Sequence, residues 1–62
     1  MRWNELRKIV EKFGWRLHKH GANHDHYLHP SRPKSDVLLI GRHGSEEVPK
    51  GTYGKIKKQV GF

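Results

Sequence analysis

WRLHKHGANHDHYLH, residues 15–29, is the part of the chain from which its architecture can be worked out. Apolar and polar side chains alternate over residues 15–20, which is the period of a half-buried strand. The Gly21 to Asn23 segment has the composition of a hairpin turn, since Gly and Asn both tolerate a positive φ. A second strand is expected over residues 24–29. The stretch therefore predicts an antiparallel β-hairpin.

A helix is predicted before the hairpin. Its apolar side chains recur at three- and four-residue intervals and so share one stripe; they are Trp3, Leu6, Ile9, Val10 and Phe13. Glu5 lies in the first turn, where the helix dipole favours an anion. Gly14 is the expected left-handed stop of this helix.

A third strand and a second helix are predicted after the hairpin. Pro30 and Pro33 favour a loop, because proline cannot donate to a sheet ladder. The apolar run at 37–40 marks a strand over residues 36–43. A second helix is expected over residues 51–61, although Gly54 inside it costs about 1 kcal/mol against alanine. Three sequential strands favour an antiparallel meander with both helices on one face, so the sequence predicts an α+β domain of order α-β-β-β-α.

Length and composition restrict the class of protein. A chain of 62 residues is expected to form a single domain, 1–62, because so little apolar surface cannot fill two cores. With no cysteine, disulfides and thiolate metal sites are excluded. The longest apolar run is too short to cross a membrane, and the first residues do not resemble a signal peptide. We therefore expect a soluble, cytoplasmic protein.

The net charge of +7 favours a polyanionic ligand, because each neutralised phosphate releases counterions. Nucleic acid is the preferred interpretation. A basic surface that serves only solubility and an anionic lipid surface are the alternatives.

Histidine is the unusual residue of this chain, with six copies, and five of them lie on the predicted hairpin. If the turn has three residues, His20 lies opposite His24, and His18 lies opposite His26. All four would then share the sheet face that points away from Trp15 and Leu17; a two-residue turn would break that pairing.

Three interpretations of the histidines remain open at this point. The first is a metal site, which is disfavoured because no H-E-x-x-H or Cys/His spacing is present. The second is a set of polar residues on an exposed strand face. The third is acid–base chemistry on RNA, where an imidazole takes the proton of the ribose 2′-hydroxyl. In that case we expect Arg16, Lys19, Lys50 and Lys55 to bind phosphates.

Two motifs of the chain, Gly21-Ala22-Asn23-His24 and residues 50–62, resemble the signatures of the HicA-type mRNA interferase toxins. The first is Gly21-Ala22-Asn23-His24, which resembles the family's Gly-(Ser/Ala)-(Asn/His)-His motif. The second is KGTYGKIKKQVGF, residues 50–62, preceded by His43; it is similar to the family's C-terminal signature, His followed by K-G-T-L-x-x-I-L-K-Q-A-G-L. The resemblance covers essentially the whole chain. Ala22 stands for the usual serine, and Gly41 stands where a proline often precedes the later histidine. Tyr53 and Gly54 depart from the usual start of the last helix.

The resemblance implies a double-stranded-RNA-binding-like fold and the toxin of a HicA/HicB-type toxin–antitoxin system. Such a toxin would be a metal-independent endoribonuclease that cleaves mRNA, with His24 as its catalytic histidine and no cofactor. Its partners would be RNA and a cognate HicB-type antitoxin. Two alternatives are a non-catalytic double-stranded-RNA-binding module and a subunit whose basic surface binds an acidic protein.

Overall fold

The computed structural model describes residues 1–62 and has the predicted element order. The elements are α1 (Trp3–Lys12), β1 (Arg16–His20), β2 (His24–Leu28), β3 (Leu38–Gly41) and α2 (Lys50–Val60). The strands form one antiparallel sheet in the order β1-β2-β3. The predicted α+β fold is thus confirmed. Neither helix has the length and hydropathy that a membrane-spanning segment needs.

One apolar core joins both helices to the sheet. Buried side chains of α1 and α2 belong to the same cluster as the buried side chains of the sheet. The core consists of Trp3, Leu6, Val10, Trp15, Tyr27, Leu38, Ile40, Val48, Ile56 and Val60. Phe13 lies at the exposed end of the stripe, where its ring packs on Phe62 with 5.8 Å between the ring centroids.

The ends of α1 follow from its sequence. The Glu5 carboxylate accepts the backbone N–H of Arg2 at 3.0 Å, which satisfies one of the free donors in the first turn. Gly14 has a φ of +97°, so the predicted left-handed stop is confirmed. A Cβ at Gly14 would also lie 2.8 Å from the His29 ring.

The third strand is shorter than predicted, since residues 36–37 and 42–43 lie outside it. Asp36 N–H donates to the Pro33 carbonyl at 2.9 Å in a turn. The Gln59 side chain donates to the Val37 carbonyl at 3.0 Å. That carbonyl is therefore bonded to α2. A contact between distant segments sets this strand boundary.

The hairpin register differs from the expected one. His20 pairs with Asp25, Lys19 pairs with His26, and a β-bulge occurs between Leu17 and Lys19, at His18. The expected pairs His20–His24 and His18–His26 are therefore wrong. The bulge adds a residue to β1, so the four histidines do not share one face.

The hairpin turn leaves no room for a side chain at position 21, which is glycine. Neither Gly21 nor Asn23 has a positive φ, so the conformational reason expected from the sequence is wrong. A Cβ at Gly21 would lie 2.7 Å from Nε2 of His26 and 2.8 Å from the carbonyl oxygen of His24. The turn thus packs against the two histidines that follow it.

Candidate active site

A groove of about 390 Å³ lies between α2 and the β3 side of the sheet, and we call it the α2 groove. Its wall is mostly apolar and carries four polar side chains. The polar ones are His24, Thr52, Lys55 and Gln59, and the apolar ones are Trp3, Val37, Leu39, Pro49 and Ile56. A pocket with an apolar wall and a few polar groups suits a small aromatic ring such as a nucleobase.

The backbone of His24 is fixed while its side chain is free. His24 is the first residue of β2 and pairs with Gly41 of β3. Its carbonyl accepts the N–H of Gly21 at 2.7 Å. Because Asp25 is buried, the alternation of a strand turns the His24 side chain out of the core. The exposed imidazole lines the α2 groove and can contact a ligand there.

The first turn of α2 borders this groove through Pro49 and Thr52. The first backbone N–H groups of a helix have no partner within the helix, and its dipole places positive potential there. No acidic side chain lies in this first turn. Lys55 adds a full positive charge to the same wall. The groove thus combines an imidazole with an environment that favours a phosphate.

Asp25, the neighbour of His24, is the only buried charged residue, with 2% of its surface exposed. Arg7 of α1 donates to its Oδ2 at 2.8 Å. Its Oδ1 lies 2.6 Å from Nδ1 of His20 and 3.6 Å from Nε of Arg42. Three cationic or potentially cationic groups from three segments therefore meet on one carboxylate.

Burial alone would raise the pKa of Asp25, because it removes water from the charged form. The hydrogen bonds from His20 and Arg7, together with their charges, outweigh burial and hold the pKa of this carboxyl below its usual value. Asp25 is therefore ionised at neutral pH and holds its partners by charge-assisted hydrogen bonds.

Arg42 connects this carboxylate to the turn before His24. Its Nη2 donates to the carbonyl of Gly21 and, at 2.6 Å, to the carbonyl of Ala22. The guanidinium therefore bridges the turn and Asp25, the residue after His24. This arrangement fixes the chain on both sides of the exposed imidazole.

The structure brings together some of the phosphate-binding residues expected from the sequence. Lys55 lines the α2 groove with His24. Lys50 is the exposed first residue of α2. Lys19 lies on β1 opposite His26. Arg16 lies at the other end of the sheet, opposite Leu28, in a second groove.

The other histidines lie outside the α2 groove. The His26 ring lies next to Gly21. Nε2 of His29 donates to the Phe13 carbonyl at 2.9 Å, while its Nδ1 accepts from Ser31 N–H at 3.0 Å. His43 lies 3.5 Å from the Glu46 carboxylate. No group of three or more His, Asp or Glu side chains is arranged to hold a metal ion.

Arg7, Asp25 and Arg42 were not expected from the sequence. A signal for Asp25 was present, because it alternates with Tyr27 on β2 and so belongs to the face that the helices cover. A carboxylate on a core face requires a cation. No such signal identifies which arginines supply the charge.

One comparison with known proteins identifies a family. The family model described as HicA toxin of bacterial toxin–antitoxin matches residues 3–62, nearly the whole chain. No curated protein matches the chain.

Proposed function

We propose that this chain, which belongs to the HicA toxin family of bacterial toxin–antitoxin systems, is an endoribonuclease that cleaves mRNA without a metal ion. The observation that carries the proposal is the placement of one exposed imidazole, that of His24, in a groove with Lys55 and the start of α2. The net charge of +7 supports RNA as the substrate.

His24 is the proposed catalytic residue. Its neutral imidazole takes the proton of a ribose 2′-hydroxyl, and the 2′-oxygen attacks the adjacent phosphorus. The bond from phosphorus to the 5′-oxygen breaks, which leaves a 2′,3′-cyclic phosphate on one fragment. The departing 5′-oxygen takes a proton from water, and the resulting hydroxide removes the proton from the His24 imidazolium, which restores the neutral base. These steps balance with a single histidine.

Lys55 and the first turn of α2 are proposed to hold the phosphate. Negative charge grows on the phosphoryl oxygens as the 2′-oxygen attacks. A fixed positive charge and oriented N–H groups stabilise that charge more than they stabilise the ground state. Lys50, on the same turn, adds to the attraction. The apolar wall at Val37 and Leu39 would hold the neighbouring base.

The proposed partner is a cognate HicB-type antitoxin, which would cover the α2 groove and exclude RNA. Complementary charge would favour an acidic surface on that partner. The proposed site of action is the cytoplasm, where mRNA is present.

The test is RNA cleavage by the purified protein, with and without EDTA, and the variants are His24→Ala and His18→Ala. His18 is an exposed histidine at the β-bulge and lines neither groove, so its variant is the matched control. We expect the wild type and His18→Ala to cleave, and His24→Ala to be slower by about 10²–10⁴-fold. Its circular dichroism should be unchanged, because the His24 side chain is exposed.

Three outcomes would contradict the proposal. Wild-type cleavage that stops only on chelation would indicate a metal enzyme. Full activity of His24→Ala would assign the catalysis elsewhere. RNA that stays intact but bound in every reaction would indicate the non-catalytic RNA-binding module.

A further inference from the structure

A second groove, of about 340 Å³, lies at the end of the sheet away from His24, and we call it the basic groove. It is lined by Arg16, Leu28, His29, Pro30, Arg32 and Lys34. Three of these six side chains carry a full positive charge, and none is acidic. The proposed reaction at His24 makes no use of this groove.

Two of its cations are held in place. Nη1 of Arg16 donates to the carbonyls of Glu11 and Trp15, both at 3.1 Å. The guanidinium of Arg32 lies over the Trp15 ring, 5.1 Å from its centroid. Arg32 also pairs with Asp36 at 3.2 Å, which offsets part of its charge. Guanidinium groups fixed in this way lose little entropy when they bind an anion.

Lys34 is the unpaired cation of the basic groove. Its ammonium group makes no hydrogen bond or ion pair within the chain, and the residue is exposed. A free ammonium that lines the same groove as the fixed guanidinium of Arg16 can bind a phosphate together with it. This pair makes the groove suited to a phosphate diester.

The outward face of the hairpin connects the two grooves. His24, His26 and Leu28 alternate with the buried Asp25 and Tyr27, so they point outward along β2. His24 lines the α2 groove and Leu28 lines the basic groove. Four residues of strand separate them by about 13 Å. Lys19, which pairs with His26, adds a positive charge between the two grooves.

We infer that the basic groove binds phosphates of the same RNA strand that is cut at His24, several nucleotides from the cleaved bond. This inference rests on the proposed function. RNA is preferred to an acidic protein because an outward residue of β2 lines each groove, His24 in one and Leu28 in the other, and Lys19 lies between them. One phosphate backbone can therefore follow this strand from groove to groove. The chain would then bind a strand longer than the segment it cleaves.

The main variant combines Arg16→Gln with Lys34→Gln, and we call it the groove pair; its matched control is called the control pair. The matched control is Lys8→Gln with Lys57→Gln, which removes the same charge from exposed helix positions that line neither groove. Each pair is combined with His24→Ala, so that RNA binds without being cut. The probe is a labelled single-stranded RNA of about 12 nucleotides, and fluorescence anisotropy gives the Kd over a range of salt concentrations.

We expect the groove pair to bind this RNA about tenfold more weakly at low salt than the control pair. The slope of log K against log salt should be smaller by about 0.7 for each phosphate that the variant no longer binds. With His24 intact, the groove pair should raise the KM for the long RNA and leave cleavage of a dinucleotide unchanged. Lys34→Gln alone, which breaks no hydrogen bond or ion pair in the fold, should show the same effects at reduced size.

Equal affinity and equal salt slope for the groove and control pairs would overturn the inference. Polyglutamate, measured in the same assay, serves as the probe for an acidic protein. The inference would also be overturned if the groove pair kept its RNA affinity and lost only its affinity for polyglutamate, since that result assigns the groove to an acidic protein. A wild type that cuts no RNA would refute the proposed function instead. The binding experiment would still decide whether the groove holds phosphates.

Discussion

Asp25 shows how a single residue next to the proposed catalytic residue can fix the backbone that carries it. A buried carboxylate is costly unless it is paired and hydrogen-bonded. Here Arg7 and His20 satisfy both oxygens, at 2.8 Å and 2.6 Å, and Arg42 reaches from Asp25 to the turn before His24. The same contacts that make burial of the charge acceptable therefore fix the backbone on both sides of His24.

We predict that Asp25→Asn lowers the free energy of unfolding by about 3 kcal/mol. The amide removes the negative charge and leaves Arg7 half-buried without its counterion. Urea unfolding followed by tryptophan fluorescence measures the decrease. Glu46→Gln is the control, since its pair with His43 is exposed and 3.5 Å long and should be worth less than about 1 kcal/mol. Equal small decreases in both variants would show that Asp25 is not a structural ion-pair centre.

At the residue scale, the sequence identified His24 as a candidate catalytic residue but gave no indication of the contacts around it. The motif that ends at His24 identified the residue by resemblance, and the structure places its ring in a groove. The pairing of the histidines was wrong because the bulge at His18 shifts β1 by one residue relative to β2. A bulge depends on the packing of both strands, so a period of two along one strand does not reveal it.

At the element scale, the helices were predictable because each has an apolar stripe that must be buried. The period of α1 is visible in Trp3, Leu6 and Val10, all of which are buried. The ends of β3 were not predictable in the same way. At one end Gln59 of α2 donates to the Val37 carbonyl, and just after the other end Arg42 donates to the carbonyls of Gly21 and Ala22. Such long-range hydrogen bonds leave no local pattern in the sequence.

We predict that Gly54→Ala stabilises α2 by about 1 kcal/mol, because alanine loses less backbone entropy in a helix. A Cβ at Gly54 would meet no atom within 4 Å, so nothing in the fold opposes it. The melting temperature should rise by about 4–8 °C. RNA cleavage should be unchanged, since Gly54 does not line the α2 groove.

Gly21→Ala is the contrasting control for this substitution. Its Cβ would lie under 3 Å from His26 and from the His24 carbonyl, so it should lower the stability by about 1–3 kcal/mol. If both substitutions changed the melting temperature in the same direction, the distinction between an open helix position and a crowded turn would be wrong.

At the scale of the whole molecule, the excess of positive charge was predictable from composition, whereas its arrangement was not. Arg16 and Lys55 were both expected to bind phosphate, and the structure places them in different grooves. Lys34 lies in a loop where no phosphate-binding residue was expected. Which cations lie together depends on how the loop after β2 folds back over Trp15, which is a property of the complete fold.

The core network around Arg7 also predicts how the stability of the whole domain depends on pH. The pKa of Asp25 is lowered, so its contribution is present above the pKa of an unfolded Asp, about 4, and is lost as the pH falls through the lower folded value. Burial of the Tyr27 hydroxyl raises its pKa and, with a contribution from Glu11, outweighs the opposing effect of Arg7. The contribution of Tyr27 is therefore present below the unfolded pKa of about 10 and is lost as the pH rises through the higher folded value.

The stability contributed by Asp25 and Tyr27 should thus be constant between about pH 4 and pH 10 and should fall on both sides. Urea unfolding at pH values within this range and beyond both of its ends measures the profile. Tyr27→Phe should flatten only the alkaline limb and Asp25→Asn only the acid limb, because each removes one titrating group. The two effects share Arg7, which donates to Asp25 at 2.8 Å and to the Tyr27 hydroxyl at 2.9 Å. An acid limb that stays as steep in Asp25→Asn as in the wild type would show that exposed carboxylates, and not this buried one, control acid unfolding.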